Sequence, residues 1–106
     1  AYSVTKQLFV SHPEIKLLFA ANDMMALGAL KYLQETARSQ VKVAAYDALD
    51  EAVAEVKAGR LMVTVDQQAA EQGYQGIVLA QRLLNKESVP ETMLIDTRLI
   101  SAASLK

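Results

Sequence analysis

Eight polar side chains stand just past three short apolar runs, and their types limit the chemistry open to them. Asn22 and Asp23 follow Ile15 to Ala21, Asp47 with Asp50 and Glu51 follows Val41 to Tyr46, and Asp66, Gln67 and Gln68 follow Leu61 to Val65. None of the three positions carries a Lys, an Arg, a nucleophilic Ser or a glycine-rich turn, so phosphate cradling, nucleophilic attack and dinucleotide binding lack their parts. Carboxylates accept from hydroxyls, and amides both donate and accept, so the set suits a neutral polyhydroxyl ligand such as a sugar. Asn22, Asp47 and Gln67 carry that reading, with Asp23 and Tyr46 as further candidates. Gln67 is the most telling, because Gln caps helices poorly, whereas Asn and Asp at helix starts are equally well explained as caps. Glycoside cleavage would need two of Asp23, Asp47, Asp50 and Asp66 held about 5 to 10 Å apart, and capping or solvated acids are the better account of them. The reading is therefore of a binding protein and not an enzyme, without cofactor or metal.

The elements that must position these residues follow from periodicity. Val4, Leu8 and Phe9 sit at helical spacing before Ser11, His12 and Pro13 interrupt. Ile15 to Ala21 is a brief apolar run that suggests a strand covered on both faces. Asp23 to Glu35 is a helix with Met24, Leu27, Leu30, Tyr32 and Leu33 on its apolar stripe, and Asn22 or Asp23 as its cap. Val41 to Tyr46 is a second strand, Asp50 to Ala58 a helix closed by Gly59, Leu61 to Val65 a third strand, and Ala69 to Asn85 a long helix bearing Tyr74, Ile77, Val78, Leu83 and Leu84. Strands joined by whole helices run parallel, which predicts an α/β, doubly wound sheet with helices on both faces. Ligands of such sheets bind beyond the carboxyl ends of the strands, where all eight polar residues lie. Thr92 to Ile100 is extended and fits an edge strand or a connection leaving the domain. His12 falls at the opposite end, and Met24 and Met25 read as core filler rather than soft-metal ligands.

Composition narrows the partners. The 106 residues are 52% hydrophobic and 22% charged, with 4 Gly and 2 Pro, which suits one folded domain and excludes a disordered tract. Eleven basic against 12 acidic residues leave a charge of −1, so no nucleic acid partner is expected for this stretch. No cysteine and a single His remove disulfides, thiolate chemistry and His-based zinc sites.

Four blocks carry a family resemblance: LFAANDMMALGALKYL (18–33), VKVAAYDALDE (41–51), VKAGRLMVTVDQ (56–67) and GYQGIVLAQRLLNKESVP (73–90). In this order and spacing they resemble the C-terminal lobe of type-I periplasmic sugar-binding proteins of the ribose-binding group. The resemblance implies a three-layer, Rossmann-like lobe over residues 1–91, with 92–106 as a hinge-crossing or edge-strand segment. It implies that Asn22, Asp47 and Gln67 hold the sugar. It further implies a fragment of a longer periplasmic chain: an N-terminal lobe completes the cleft, an ABC permease or membrane receptor receives the loaded protein, and the isolated lobe is open to pairing with itself. Two departures stand out. Ala45 replaces a usual Gly and would place a methyl near the ligand, and Ala37 stands where the family commonly ends a helix with Gly. A lactose-repressor-type regulator shares the fold, but Asp47-Ala48-Leu49 and Lys57-Ala58-Gly59 favour the transport reading.

Overall fold

In the computed structural model, which describes residues 1–106, the elements run α1 (Tyr2–Ser11), β1 (Leu17–Phe19), α2 (Asp23–Glu35), β2 (Lys42–Tyr46), α3 (Asp50–Lys57), β3 (Val63–Asp66), α4 (Ala69–Leu84) and β4 (Arg98–Ser101). The strands lie in the order β1-β2-β3-β4, the first three parallel and β4 antiparallel to β3. Each helix starts and stops for a local reason. The Asn22 side chain accepts from the Met25 amide at 2.9 Å and caps α2. Gly59 closes α3 at φ +79, with its own N–H on the Val56 carbonyl and the Arg60 N–H on that of Glu55, the paired bonds of a left-handed helix stop.

The strand order decides which face is covered. Two right-handed crossovers that step the same way, β1 to β2 to β3, must carry α2 and α3 across the same face. Leu18, Val43, Ala45 and Thr64 share that face by register. There Val43, Ala45, Ala52, Val56 and Leu61 form one buried cluster with Phe9, Ala26, Leu30, Tyr32 and Leu33. α1 lies on α2 through Thr5 and Phe9, the two residues it buries. Gly28 permits this close approach, since a Cβ there would meet that of Ala1 at 2.9 Å. The Tyr2 hydroxyl donates to Glu35 across the same contact.

The opposite face is open, which corrects the expectation that β1 is covered on both sides: Leu17 and Phe19 are 74% and 69% exposed, and Leu99 is exposed on the same face at the far edge of the sheet. α4 does not return to cover it. The strand after α4 is antiparallel to β3, so the connection need not cross the sheet. Accordingly α4 buries no residue, and Tyr74, Ile77, Leu83 and Leu84 face solvent. The shape records this. A radius of gyration of 18.0 Å exceeds the roughly 13 Å of a compact chain this long. The shortest dimension, 18 Å, suits two layers of about 10 Å each rather than three. Helices on both faces are therefore not supplied by this chain itself, while the α/β class and parallel pairing stand. Two smaller expectations also change. Val4 and Leu8 are exposed in favour of Thr5 and Phe9, whose i, i+4 stripe meets α2. Met24 and Met25 lie on the solvent side of α2 and are not core filler. No helix is long and apolar enough to cross a membrane.

Two predictions follow from the helix ends. Ala37 closes α2 at φ +54, with Arg38 N–H on the Leu33 carbonyl at 2.8 Å, the conformation that disfavours a Cβ. Ala37→Gly is expected to stabilise the fold by about 1 kcal/mol, read as a higher urea midpoint with unchanged slope; a lower midpoint would show that the left-handed stop costs nothing here. At the end of α3, Glu55 receives a forked pair of bonds from Arg60 at 2.6 and 2.9 Å. The hydrogen bond from Arg60, reinforced by its charge, holds the Glu55 carboxyl below its ordinary 4.5. A depressed carboxyl pKa contributes stability above the unfolded value and loses it as pH falls through the folded one. The destabilisation of Glu55→Gln, measured by thermal melts, is therefore expected at pH 7 and should shrink below about pH 4.5.

Candidate functional site

The carboxyl ends of β1, β2 and β3 lie side by side because the three strands are parallel and in register, with Phe19 opposite Ala44 and Ala44 opposite Val63. Asn22, Asp47 and Gln67 therefore leave the same edge of the sheet from neighbouring strands spaced about 5 Å apart. Two of them touch. The Gln67 side-chain amide donates to Oδ1 of Asp47 at 2.7 Å. The other Asp47 oxygen accepts from no protein donor, and the residue is half-buried. Gln67 is itself held from behind, since the Gln72 amide donates to its carbonyl at 2.7 Å. Asn22 stands one strand over from Asp47. Its Oδ1 caps α2, which leaves the NH₂ of the same amide without an acceptor in the protein. Capping and ligand roles are thus compatible in one side chain, because an amide has two ends.

The backbone around Asp47 is unusual. Asp47 and Ala48 both have positive φ, +123 and +57, a conformation that non-glycine residues adopt only when their surroundings over-determine it. Here they do. The Asp47 N–H donates to the Val65 carbonyl at 2.8 Å, the Ala48 N–H to the Thr64 hydroxyl at 3.2 Å, and the Leu49 N–H to the Asp23 carboxylate at 2.7 Å. Three successive amides thus anchor the loop to its neighbours, and the Asp47 side chain is aimed by that loop.

Asp23 explains the anchoring and corrects its assignment to the rim. It is fully buried, with one oxygen on Leu49 N–H and the other accepting the Thr64 hydroxyl at 2.7 Å. Both oxygens are spent inside the protein, so Asp23 positions the loop and has no open edge for a ligand. Tyr46, the last residue of β2, shares the uncovered sheet face with Val65 and Leu99. Ala45 is completely buried on the helix-covered face; its methyl fills core, so it does not narrow the ligand site. Asp66 accepts the Gln68 N–H at 2.7 Å, the local bond that supports the left-handed Gln68 (φ +56). Asp50 and Glu51 are exposed in the first turn of α3, where acids favour the helix dipole. Of these acids only Asp23 has both oxygens taken up by the protein, and no group of three or more His, Cys, Asp or Glu could hold a metal ion.

Thr64 escaped the sequence reading. The signal was present: in the strand Leu61 to Val65 it is the one polar side chain, and a polar group at a core-facing position needs a partner. Gln68 contributes a second unanticipated link, donating to the Asp96 carbonyl at 2.6 Å. That bond fastens the segment leaving β3 to the segment entering β4, where Asp66 pairs with Arg98, so the chain leaves and re-enters the sheet through adjacent strands beside Gln67.

Comparison with known proteins shows the family and the fold. Residues 1–88 match the model of the periplasmic binding protein domain. A ribose import binding protein of Salmonella typhimurium is 34% identical over 98 residues, covering 92% of this chain and 33% of the relative. A D-ribose/D-allose-binding protein of Pseudomonas aeruginosa is 39% identical over 98 residues, covering 85% and 31%. The chain thus spans about a third of the length of the curated relatives it matches. Among solved structures, an ABC transporter periplasmic solute-binding protein from Actinobacillus succinogenes with bound D-allose superposes with a TM-score of 0.93 at 30% identity, over 97% of this chain and 37% of the other. An ABC transporter solute-binding protein from Agrobacterium vitis with bound α-D-tagatopyranose gives 0.91 at 27%, over 98% and 35%. These are transport binding proteins, not enzymes.

The anchoring role of Asp23 is testable by stability. Asp23→Ala leaves Leu49 N–H and the Thr64 hydroxyl without their acceptor and is expected to cost about 2 to 4 kcal/mol, whereas Asp23→Asn keeps one acceptor and should cost less. Equal small losses in chemical denaturation would show that the buried carboxylate is not the anchor.

Proposed function

Because the chain belongs to the periplasmic binding protein domain family, we propose that it forms one side of the cleft of a solute-binding protein that captures a monosaccharide or polyol for an ABC importer. The observation that carries this is the Asp47–Gln67 pair at the carboxyl edge of the sheet. A carboxylate oxygen left free for a hydroxyl donor, with an amide donor from Asn22 one strand away, matches a ligand whose every group both donates and accepts. Asn22, Asp47 and Gln67 are the proposed ligand residues. The relatives that bind ribose and allose, and the neighbour structures that hold allose and tagatose, support a monosaccharide. Because those relatives serve sugar import, transport is favoured over an effector domain of a lactose-repressor-type regulator.

In this reading the working protein is longer and periplasmic, with a second lobe opposite the rim and a permease or membrane receptor to receive it. The exposed apolar side of α4 supports a division in which the helix lies against that second lobe. The adjacent passages at Gln67–Gln68 and Asp96–Thr97 would then act as hinge strands. Ala44, Val63, Val65 and Leu99 on the uncovered sheet face likewise await a further layer; in isolation the same face favours pairing of one copy with another.

Calorimetry tests the cleft. The 106-residue chain alone is expected to show no tight binding of D-ribose or D-allose, because a ligand open to water on one side gains little over its hydration; micromolar affinity would refute a shared cleft. In the longer protein, Asp47→Ala removes a charged hydrogen bond and should weaken sugar binding by about ten- to a hundredfold. Gln67→Ala should weaken it less, and an unchanged affinity in both would move the site elsewhere.

A further inference from the structure

A half-open hollow lies away from the rim. It is a cavity of 430 Å³ at the amino ends of β2 and β3, between the closing turns of α2 and α3, with Ala102 after β4 at its edge. The whole length of β2, about 16 Å, separates it from Asp47. Its volume falls within the range of small-molecule sites. Leu33, Val41 and Leu61 give it an apolar wall, and the charged side chains on it are all basic: Arg38, Lys42 and Arg60.

These cations are not equally free. Arg60 is matched by Glu55 through its forked pair. Arg38 has no carboxylate partner: its guanidinium lies 4.8 Å over the Phe9 ring, and its Nε, shielded from solvent, donates to nothing. Lys42 also lacks an acidic partner. The carbonyl ends of α2 and α3 offset part of this charge, roughly half a unit each, which leaves the cavity with an excess of about one positive charge. The protein itself covers the Arg38 Nε, so an occupant of the cavity meets the outer Nη edge of the guanidinium, for which the protein supplies no acceptor.

We propose that this cavity is a second binding site, for a monoanionic carboxylate that carries a short apolar body. The apolar wall disfavours a polyol, so the site does not duplicate the rim. The single unmatched charge selects a monoanion, and the two oxygens of a planar carboxylate match the N–H edge that a guanidinium presents better than a spherical anion does.

Octanoate is a suitable probe, with 1-octanol at the same concentration as its uncharged counterpart. Thermal melts and amide shifts of the ¹⁵N-labelled chain are expected to show that octanoate raises the melting temperature and moves the signals of Leu33, Val41 and Leu61. Octanol should do so several-fold less. Arg38→Met should abolish the difference between the two probes. If that variant does not fold, Arg38→Lys keeps the charge but not the fork and should weaken octanoate about tenfold. Equal effects of the two probes would overturn the anion preference. Shifts at Leu17, Phe19 and Leu99 in place of the cavity would place the binding on the open sheet face and overturn the site.

Discussion

A single carboxylate holds the functional edge in register. Asp23 opens α2, lies at zero exposure, and joins the β2–α3 loop to the middle of β3 through Leu49 and Thr64. Burying an acid is unfavourable unless its oxygens are hydrogen-bonded, and both are, at a helix start whose free amides favour negative charge. What this arrangement supports is the strained turn at Asp47 and Ala48. A loop residue at φ +123 would relax into an ordinary conformation if its neighbours' amides were not tied down. The side chain that meets Gln67 is thus aimed from below by a residue that never reaches the rim.

The second constraint is topological. Because β1, β2 and β3 follow one another in one direction, handedness alone assigns α2 and α3 to the same side. The core forms there, and the other side of the sheet stays bare. The same logic frees α4, whose following strand runs antiparallel and so needs no crossover. Sixteen of 106 residues are buried, which is modest for a domain and follows from one face of the sheet and one whole helix being left open. The two regions of interest then occupy opposite ends of the same strands: a polar rim where the chain crosses out of the sheet, and an apolar hollow where the helices stop.

Much of this was legible in the residues. Apolar runs and caps located α2 with the same bounds, Asp23 to Glu35, and the other elements to within a few positions except β4, which begins six residues after the expected Thr92. The joint between Asp47 and Gln67 was foreseeable because both follow strands that must be parallel. What escaped was the fate of amphipathic faces. The stripe of Tyr74, Ile77 and Leu83 is the same whether a helix packs on its own sheet or is left facing outward, and the apolar residues of β1 do not report whether one face or two are covered. Periodicity marks a surface that wants burial but not the surface that will bury it. Similarly, Asp23 and Asn22 are adjacent acid and amide in sequence, and only the fold turns one inward to Thr64 and leaves the other at the edge.

The placement of β4 bears on how the chain is made. Its partner β3 emerges from the ribosome well before it, with residues 67–97 still to be translated, and during that interval one flank of β3 is a raw strand edge in a sheet already bare on one side. Such an edge invites pairing with another nascent molecule. The arrival of Arg98–Ser101 then sets how long that flank of β3 stays unpaired.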